Sequence, residues 1–416
     1  YFQETGDFWR MNANHNQTTA LLGWSLQAIE AIDKMERPYV VVGPPEFESF
    51  ADKNGILFVP WQFNVPIEQS FELYEKLREF NVKLTIPIYE ETVEWAGMMN
   101  SLLFENPKLF NKSLLLRDKG LMKRRAHLAG LRVGVFEEAY SKDDIYRFFK
   151  RINQALVKLT EDQYEPIHVK PFDKAGTVGH RMIREEKDIE EIDDEEFPLL
   201  MESHLEGQEF SCEAFIHNGK VRFLNITEYV KLGHSNFVPA SPTLEKWRPK
   251  IRQEIEKLVT AFEVDFGIIH PEFFLAANGE IYFGEVANRI PGGHIFDHIE
   301  KAYGFSAYQG QILCCDPDTT EEELNAFFPE EVVSAKGHSG NLMVYPKVKA
   351  ISRLDIPKEL KEHPYFVKHN MFIPASSKVA ERVGFGNHYG SLNFFGEDAQ
   401  EMRKLLEDYE KHNFYL

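Results

Sequence analysis

The chain has 416 residues, with 47 Lys and Arg against 66 Asp and Glu, and a formal net charge of −19. At roughly 100–200 residues per domain this length holds two to four packed units, and the 43% hydrophobic and 27% charged fractions exclude wholesale disorder. The acid surplus argues against a nucleic-acid partner, and no apolar run approaches the ~18 residues of a membrane span.

Three cysteines, Cys212, Cys314 and Cys315, are too few for a disulfide framework, and no secretory leader pattern opens the chain. The expectation is therefore a cytoplasmic protein. Tyr1-Phe2-Gln3 reads as the remnant of a cleavable tag.

Along residues 1–112, short apolar runs alternate with helical patterns. Residues 38–43 (PYVVVG), 55–61 (GILFVPW) and 83–88 (KLTIPI) read as buried strands, with helices over 18–34 and 67–80. The alternation predicts a small doubly wound, Rossmann-like α/β domain. Asn14-His15-Asn16 reads as an N-cap cluster, or as a ligand contact at a strand-to-helix turn. Residues 113–204 read as a linking helix and a lid. A basic helix spans 113–130, and a second starts at Ser141, with Asp144 three residues on. Strands follow at 165–171 and 179–183, then an acidic helix and loop over 185–196 and a strand at 197–205. Residues 205–416 read as an antiparallel-sheet domain. Strands at 210–217 and 220–229 join through Asn218-Gly219, a helix covers 244–262, and a helix closes the chain at 397–412.

Residues 266–290 read FGIIHPEFFLAANGEIYFGEVANRI, and Asn278-Gly279 between two apolar runs is a strong hairpin signal. If those two residues form the turn, Ala277 faces Glu280, Phe274 faces Phe283 and Glu272 faces Glu285. Carboxylates across one ladder lie roughly 4.5–5.5 Å apart at Cβ and repel. Both would share a face with Phe274, Phe283 and Ile281, where burial strengthens the repulsion. A Mg²⁺ ion, which takes one or two carboxylates plus substrate phosphates, removes the conflict. A bulge or another register would separate the two acids and leave one as a surface side chain.

Upstream, the strand ending at Lys170-Pro171 runs into a loop containing Gly176 and Gly179 before the next strand. Such a loop can close over phosphates with its N–H groups, and a plain hairpin connection is equally compatible. Lys170 and Lys119 supply point charges suited to phosphate oxygens.

Together these residues resemble the ATP-grasp superfamily, specifically its carboxylate–amine ligases, over about residues 116–295. Arg117-Asp118-Lys119 and His168-Val169-Lys170-Pro171 resemble the family's two phosphate-lysine motifs. Residues 201–210 (MESHLEGQEF) resemble its hinge. The resemblance implies ATP and Mg²⁺ (or Mn²⁺) as cofactors. It places adenine along Glu202 to Leu205, ribose at Glu209, and phosphates at Lys119, Lys170, Gly176 and Gly179. It puts the metal on Glu272 and Glu285, with Asn288 one residue away from the usual third ligand position, which here is Ala287.

The run Glu285-Val286-Ala287-Asn288-Arg289, with Pro291-Gly292-Gly293-His294 after it, resembles the bacilysin-type L-amino acid ligases and related aminoacylating ligases. In that branch Arg289 faces the acyl substrate and its phosphate. Gly292, Gly293 and His294 are then substrate contacts, and Lys231 joins Arg289 and Lys170 as a catalytic candidate. The implied activity couples a small-molecule carboxylate to an amine with release of ADP. A carrier-protein thiol is the alternative acceptor, and a catalytically silent nucleotide-binding module is the alternative of another class. Dimers are common among enzymes of this resemblance.

Overall fold

The computed structural model describes residues 17–155, 164–174, 176–373, 378–386 and 388–416. Tyr1–Gln3 and Asn14-His15-Asn16 lie outside them.

The N-terminal sheet is parallel, with strand order β3-β2-β1-β4: β1 (Thr18–Leu22), β2 (Tyr39–Gly43), β3 (Phe58–Pro60) and β4 (Val82–Pro87). β1 is buried along its whole length and pairs with both β2 and β4. The expectation of a helix over 18–34 is corrected here. Only α1 (Leu26–Lys34) is helical, and it starts where the Ser25 side chain accepts from Ala28 N. The five residues TTALL are too short a segment for periodicity to separate a buried strand from a buried helix turn. The helix expected over 67–80 is a single 3₁₀ turn followed by α2 (Ser70–Arg78), and α3 (Val93–Leu103) packs on β4.

The basic helix expected over 113–130 is two helices, α4 (Lys108–Leu115) and α5 (Lys119–Leu128). The break is at Asp118, whose carboxylate caps α5 by accepting from Leu121 N. A small antiparallel lid sheet follows, in the order β5-β8-β6-β7: β5 (Phe136–Ala139), β6 (Ile167–Lys170), β7 (Arg181–Ile183) and β8 (Leu199–Ser203). The strand β5 was not foreseen. The lid sheet and α6 (Lys142–Ala155) share their own core, which includes Phe148, Phe149, Ile167 and Met201.

The central sheet has eight antiparallel strands, ordered β13-β12-β9-β10-β11-β14-β16-β15. They are β9 (Gln208–His217), β10 (Lys220–Lys231), β11 (Ser235–Val238), β12 (Phe266–Leu275), β13 (Ile281–Ala287), β14 (His338–Met343), β15 (Phe366–His369) and β16 (Ser391–Gly396). The last eighty residues thus extend this sheet, and α10 below closes over its C-terminal strands.

The period-2 alternation of β9 divides the two faces. Phe210, Cys212, Ala214 and Ile216 pack against α5 and α7 (Arg248–Ala261). Phe215, on the opposite face, joins α8 (Ile295–Tyr303), α9 (Ala307–Cys315) and α1 in one core that ties the N-terminal sheet to the central one. The chain closes with α10 (Ala399–Glu410), capped by Asp398. Among the described residues no helix is long and apolar enough to cross a membrane.

In the β12–β13 hairpin, Glu272 pairs with Glu285 as the arithmetic requires, by a different route. The turn has three residues, since Ala276 N donates to Glu280 O and Gly279 N donates to Ala276 O. Near the turn the register is therefore one residue off, with Phe274 opposite Tyr282 and Phe273 opposite Phe283. The ladder shifts between Glu272 and Phe273, leaving Gly284 as an extra residue and restoring the Glu272–Glu285 pair. Phe283 and Ile281 consequently lie in the core on the far face, while Phe274 shares the cavity face with the two acids.

Gly279 holds φ +79°, and a Cβ there would sit 2.4 Å from the Trp247 ring. Gly279→Ala is expected to lower the unfolding free energy by about 1–3 kcal/mol, read from chemical denaturation midpoints.

Candidate active site

Between the lid sheet and the central sheet lies a cavity of about 610 Å³. A larger groove of about 770 Å³ between β10 and α10 borders it, but its charged groups include an ion pair, Glu228 with Arg403, and none of the lysines described below. The smaller cavity concentrates the charge. Period-2 alternation aims His168 and Lys170 of β6, Glu202 of β8, and His270, Glu272 and Phe274 of β12 into it.

Three lysines and four carboxylates make up the site. On α5, Lys119 and Lys123 are four residues apart and share a face. The Lys123 ammonium is 2.5 Å from Glu202, which lies 2.6 Å from Lys170. Lys170 reaches Glu285 at 3.3 Å, and Lys119 lies 3.7 Å from the same carboxylate while donating to Lys174 O at 2.8 Å.

Burial opposes the charge on Glu202, but Lys123 and Lys170 outweigh it and hold that carboxyl well below the usual range. The same contest, won by Lys119 and Lys170, lowers Glu285. Glu272, which accepts from the Tyr229 hydroxyl at 3.2 Å, is pushed up by burial and by the charge of Glu285. Burial, then Glu272 and Glu285, push Glu209 up to about 8 against the opposing charge of Lys170. The site thus holds its charge at the lysines, Glu202 and Glu285, while burial and mutual repulsion disfavour the anionic forms of Glu209 and Glu272.

Beneath this layer the fully buried Glu213 accepts from Ser211, Asn225, Thr227 and His270. At the other end of the cavity, Arg289 donates to Glu90 at 2.7 Å, and Glu90 also accepts from Arg117 at 2.8 Å. Ser235 and Asn236 line that end, and the Ser235 hydroxyl and Asn236 carbonyl oxygen are buried without a protein partner. Orphan polar atoms of this kind are satisfied by a bound group or water. The lid loop is held over the cavity from the far end of the chain. Phe385 N donates to Gly176 O at 2.9 Å, and the Tyr345 hydroxyl donates to Phe385 O at 2.8 Å.

The structure brings Lys119, Lys170, Gly176, Glu202, Leu205, Glu209, Glu272, Glu285, Arg289, Gly292 and Gly293 to one cavity. It does not bring the others there. Asn288 turns away and donates to Ile268 O at 2.6 Å, lining a separate cavity of about 340 Å³ behind the sheet. Lys231 pairs with Glu410 at 2.7 Å, and His294 opens α8 with Asp297 3.3 Å away. Gly179 packs on Pro171 at the outer end of the lid loop.

Sequence reasoning expected backbone contacts at Glu202 and found its carboxylate role unassigned. It also assigned no role to Lys123, Glu90, Tyr229, His168 or His180. Two of these had a signal, for Lys123 lies one helical turn from Lys119 and His168 lies two strand positions before Lys170.

Among the described residues no group of three His, Cys, Asp or Glu side chains forms a ready-made metal cage. Two facing carboxylates with lysines nearby are instead the donor set of Mg²⁺ bound together with phosphates, so the residues fit a Mg²⁺–nucleotide. Glu272 and Glu285 would hold the metal, and Lys119 and Lys170 the phosphates. Glu202→Leu, which strands the buried Lys123 ammonium, is expected to cost about 3–5 kcal/mol in denaturation, and the double replacement Lys123→Met/Glu202→Leu to recover most of it.

Residues 163–297 match an ATP-grasp domain. The L-arginine-specific L-amino acid ligase of Bacillus subtilis is 24% identical over 249 residues, which is 56% of this chain and 58% of that protein's length. The L-amino acid ligase from Bacillus licheniformis superposes with a TM-score of 0.72 at 18% identity, covering 96% of this chain and 98% of that one. The N5-carboxyaminoimidazole synthetase from Staphylococcus aureus complexed with ADP gives 0.67 at 17% identity over 95% and 97% of the two chains. For the phosphoribosylglycinamide synthetase from Anaerococcus prevotii the values are 0.66 and 14%, over 94% and 97%. At these identities the likeness to the solved structures is one of fold. Residues 163–297 form an ATP-grasp domain, and the chain as a whole shares the fold of these solved structures.

Proposed function

We propose that the chain is an ADP-forming ligase that activates a carboxylate, an amino acid, as an acyl phosphate and couples it to an amine. One observation carries the reading. The Glu272–Glu285 pair, with Lys119 and Lys170 beside it, opens into the same cavity as Arg289 and the Gly292-Gly293 turn. Metal-binding acids, phosphate-binding cations and a guanidinium suited to a carboxylate therefore meet in one enclosed space. The name of the Bacillus subtilis relative supports amino acids as the substrates.

In this mechanism adenine lies along the hinge from Glu202 to Leu205, and Glu209 binds the ribose. The substrate carboxylate oxygen attacks the γ-phosphorus, and the bond to the bridging oxygen breaks to release ADP. The amine then attacks the acyl carbon, phosphate leaves and the amine gives up a proton. Bound Mg²⁺ supplies charge neutralisation at the phosphates. The chain's own residues position and stabilise. Lys119 and Lys170 disperse charge on the transferring group, and the Arg289 fork orients the carboxylate. Arg117 holds Glu90, which holds Arg289, so the N-terminal domain sets the angle of that fork. The lid excludes the water that would hydrolyse the acyl phosphate.

Glu272→Gln and Glu285→Gln are each expected to lower kcat/KM for Mg·ATP-dependent ADP release by at least about 100-fold in a screen of amino acids, singly and in pairs. Turnover unchanged in either variant would remove the metal role. With hydroxylamine replacing the amine, the active acid is expected to yield a hydroxamate; its absence would count against the acyl phosphate.

A further inference from the structure

Three imidazoles run in a chain along one wall of the cavity. His168 Nδ1 lies 2.9 Å from His180 Nε2, and His168 Nε2 lies 2.9 Å from His204 Nδ1. The ring centroids lie 5.1 and 5.2 Å apart with interplanar angles of 10° and 25°, so the rings meet edge to edge through these nitrogens. Their supports differ. His168 sits on β6, His180 ends the Gly176–Gly179 loop, and His204 directly follows β8 at the hinge.

The geometry constrains the protons. A neutral imidazole has one N–H and one acceptor nitrogen, and His168 uses both of its nitrogens. Burial holds His168 down to about 4, with the neighbouring imidazoles acting in the same direction, and burial lowers His180 as well. With one proton per ring, only two arrangements satisfy both links. In the first, His204 donates to His168, His168 donates to His180, and the free nitrogens are a donor at His180 Nδ1 and an acceptor at His204 Nε2. In the second every N–H is reversed, and so are both ends. The character of one end therefore fixes the character of the other.

We propose that this histidine chain reads the nucleobase by coupling it to the phosphates. The inference rests on the nucleotide placement proposed above. His180 lines the cavity beside Gly176, Thr177 and Val178 of the lid loop, which the nucleotide placement above sets against the phosphates, so its free nitrogen is the donor at the anionic end. The chain then makes His204 Nε2 an acceptor at the hinge. An acceptor there takes a hydrogen bond from the exocyclic amine of adenine and faces the carbonyl oxygen of hypoxanthine or guanine unfavourably. His204 is the specificity residue in contact with the base, and His168 and His180 are positioning residues acting through it. A merely packing role would be filled by any aromatic ring.

The test compares ATP and inosine triphosphate, which differ at that exocyclic group, by calorimetric Kd with Mg²⁺ on the wild-type chain and on His180→Phe. The phenyl ring keeps an aromatic side chain at that position and removes the far end of the relay. The Kd ratio favouring ATP is expected to fall by about tenfold, the worth of one hydrogen bond, although residue 180 is not at the base. An unchanged ratio in a variant that still binds ATP would overturn the proposal. The second measurement needs no variant. Histidine ¹⁵N spectra of the wild-type chain with ADP are expected to show His204 Nε2 unprotonated, and a protonated Nε2 would also overturn it. Failure of the wild-type chain to bind ATP at all would instead strike the nucleotide placement itself.

Discussion

Two carboxylates opposite each other on one ladder, in a cavity closed by a second sheet, are an arrangement that folding alone disfavours. Like charges directly across a strand pair repel, and removal from water strengthens the repulsion. The fold sustains Glu272 and Glu285 only because lysines from two other elements surround one of the pair. The sharing is unequal. Glu285 takes the cations and stays ionised, while Glu272 and Glu209 carry the unfavourable burial. Much of the rest follows from this arrangement. The break between α4 and α5 starts α5 so that two lysines one turn apart face β8 and β13, and β6 delivers the third between them.

That network also defines how the lid meets the body. Each has its own apolar core, and across the cavity the lid meets the rest of the molecule through the ion pairs of Glu202 with Lys123 and of Lys170 with Glu285. Polar contacts of this kind exchange readily with water or with a ligand's own charges, whereas the apolar core through α9 that joins the N-terminal sheet to the central sheet does not. The apolar junction of the N-terminal and central sheets is therefore the stiffer one, and the polar contact where the nucleotide would enter the more compliant.

How much of this was legible in the sequence depended on how local the signal was. The hairpin carrying the acids is marked by its own turn residues, and its pairing could be worked out by counting. Even so, the count reached Glu272 opposite Glu285 through two offsetting errors, a turn one residue longer than supposed and an extra residue at Gly284. Phe283 has no such compensation and lies on the other face. Strand β1 was missed because the five residues TTALL are too few to carry a period. Lys123 was passed over because a basic helix ordinarily faces solvent, and the carboxylate that buries it lies far along the chain. Lys231 and His294 stand next to informative segments, yet their partners, Glu410 and Asp297, draw them elsewhere. Adjacency in sequence to a motif is weaker evidence than a shared strand parity with it.

The bond from Phe385 N–H to the carbonyl of Gly176 joins parts of the chain that no local reading would connect. A single backbone hydrogen bond contributes about 0.5–1.5 kcal/mol net, enough to bias an open–closed equilibrium several-fold and too little to lock it. The segment around residue 385 therefore behaves as a detent, and the dwell time of whatever lies beneath the lid becomes a property of residues far along the chain from the lid loop.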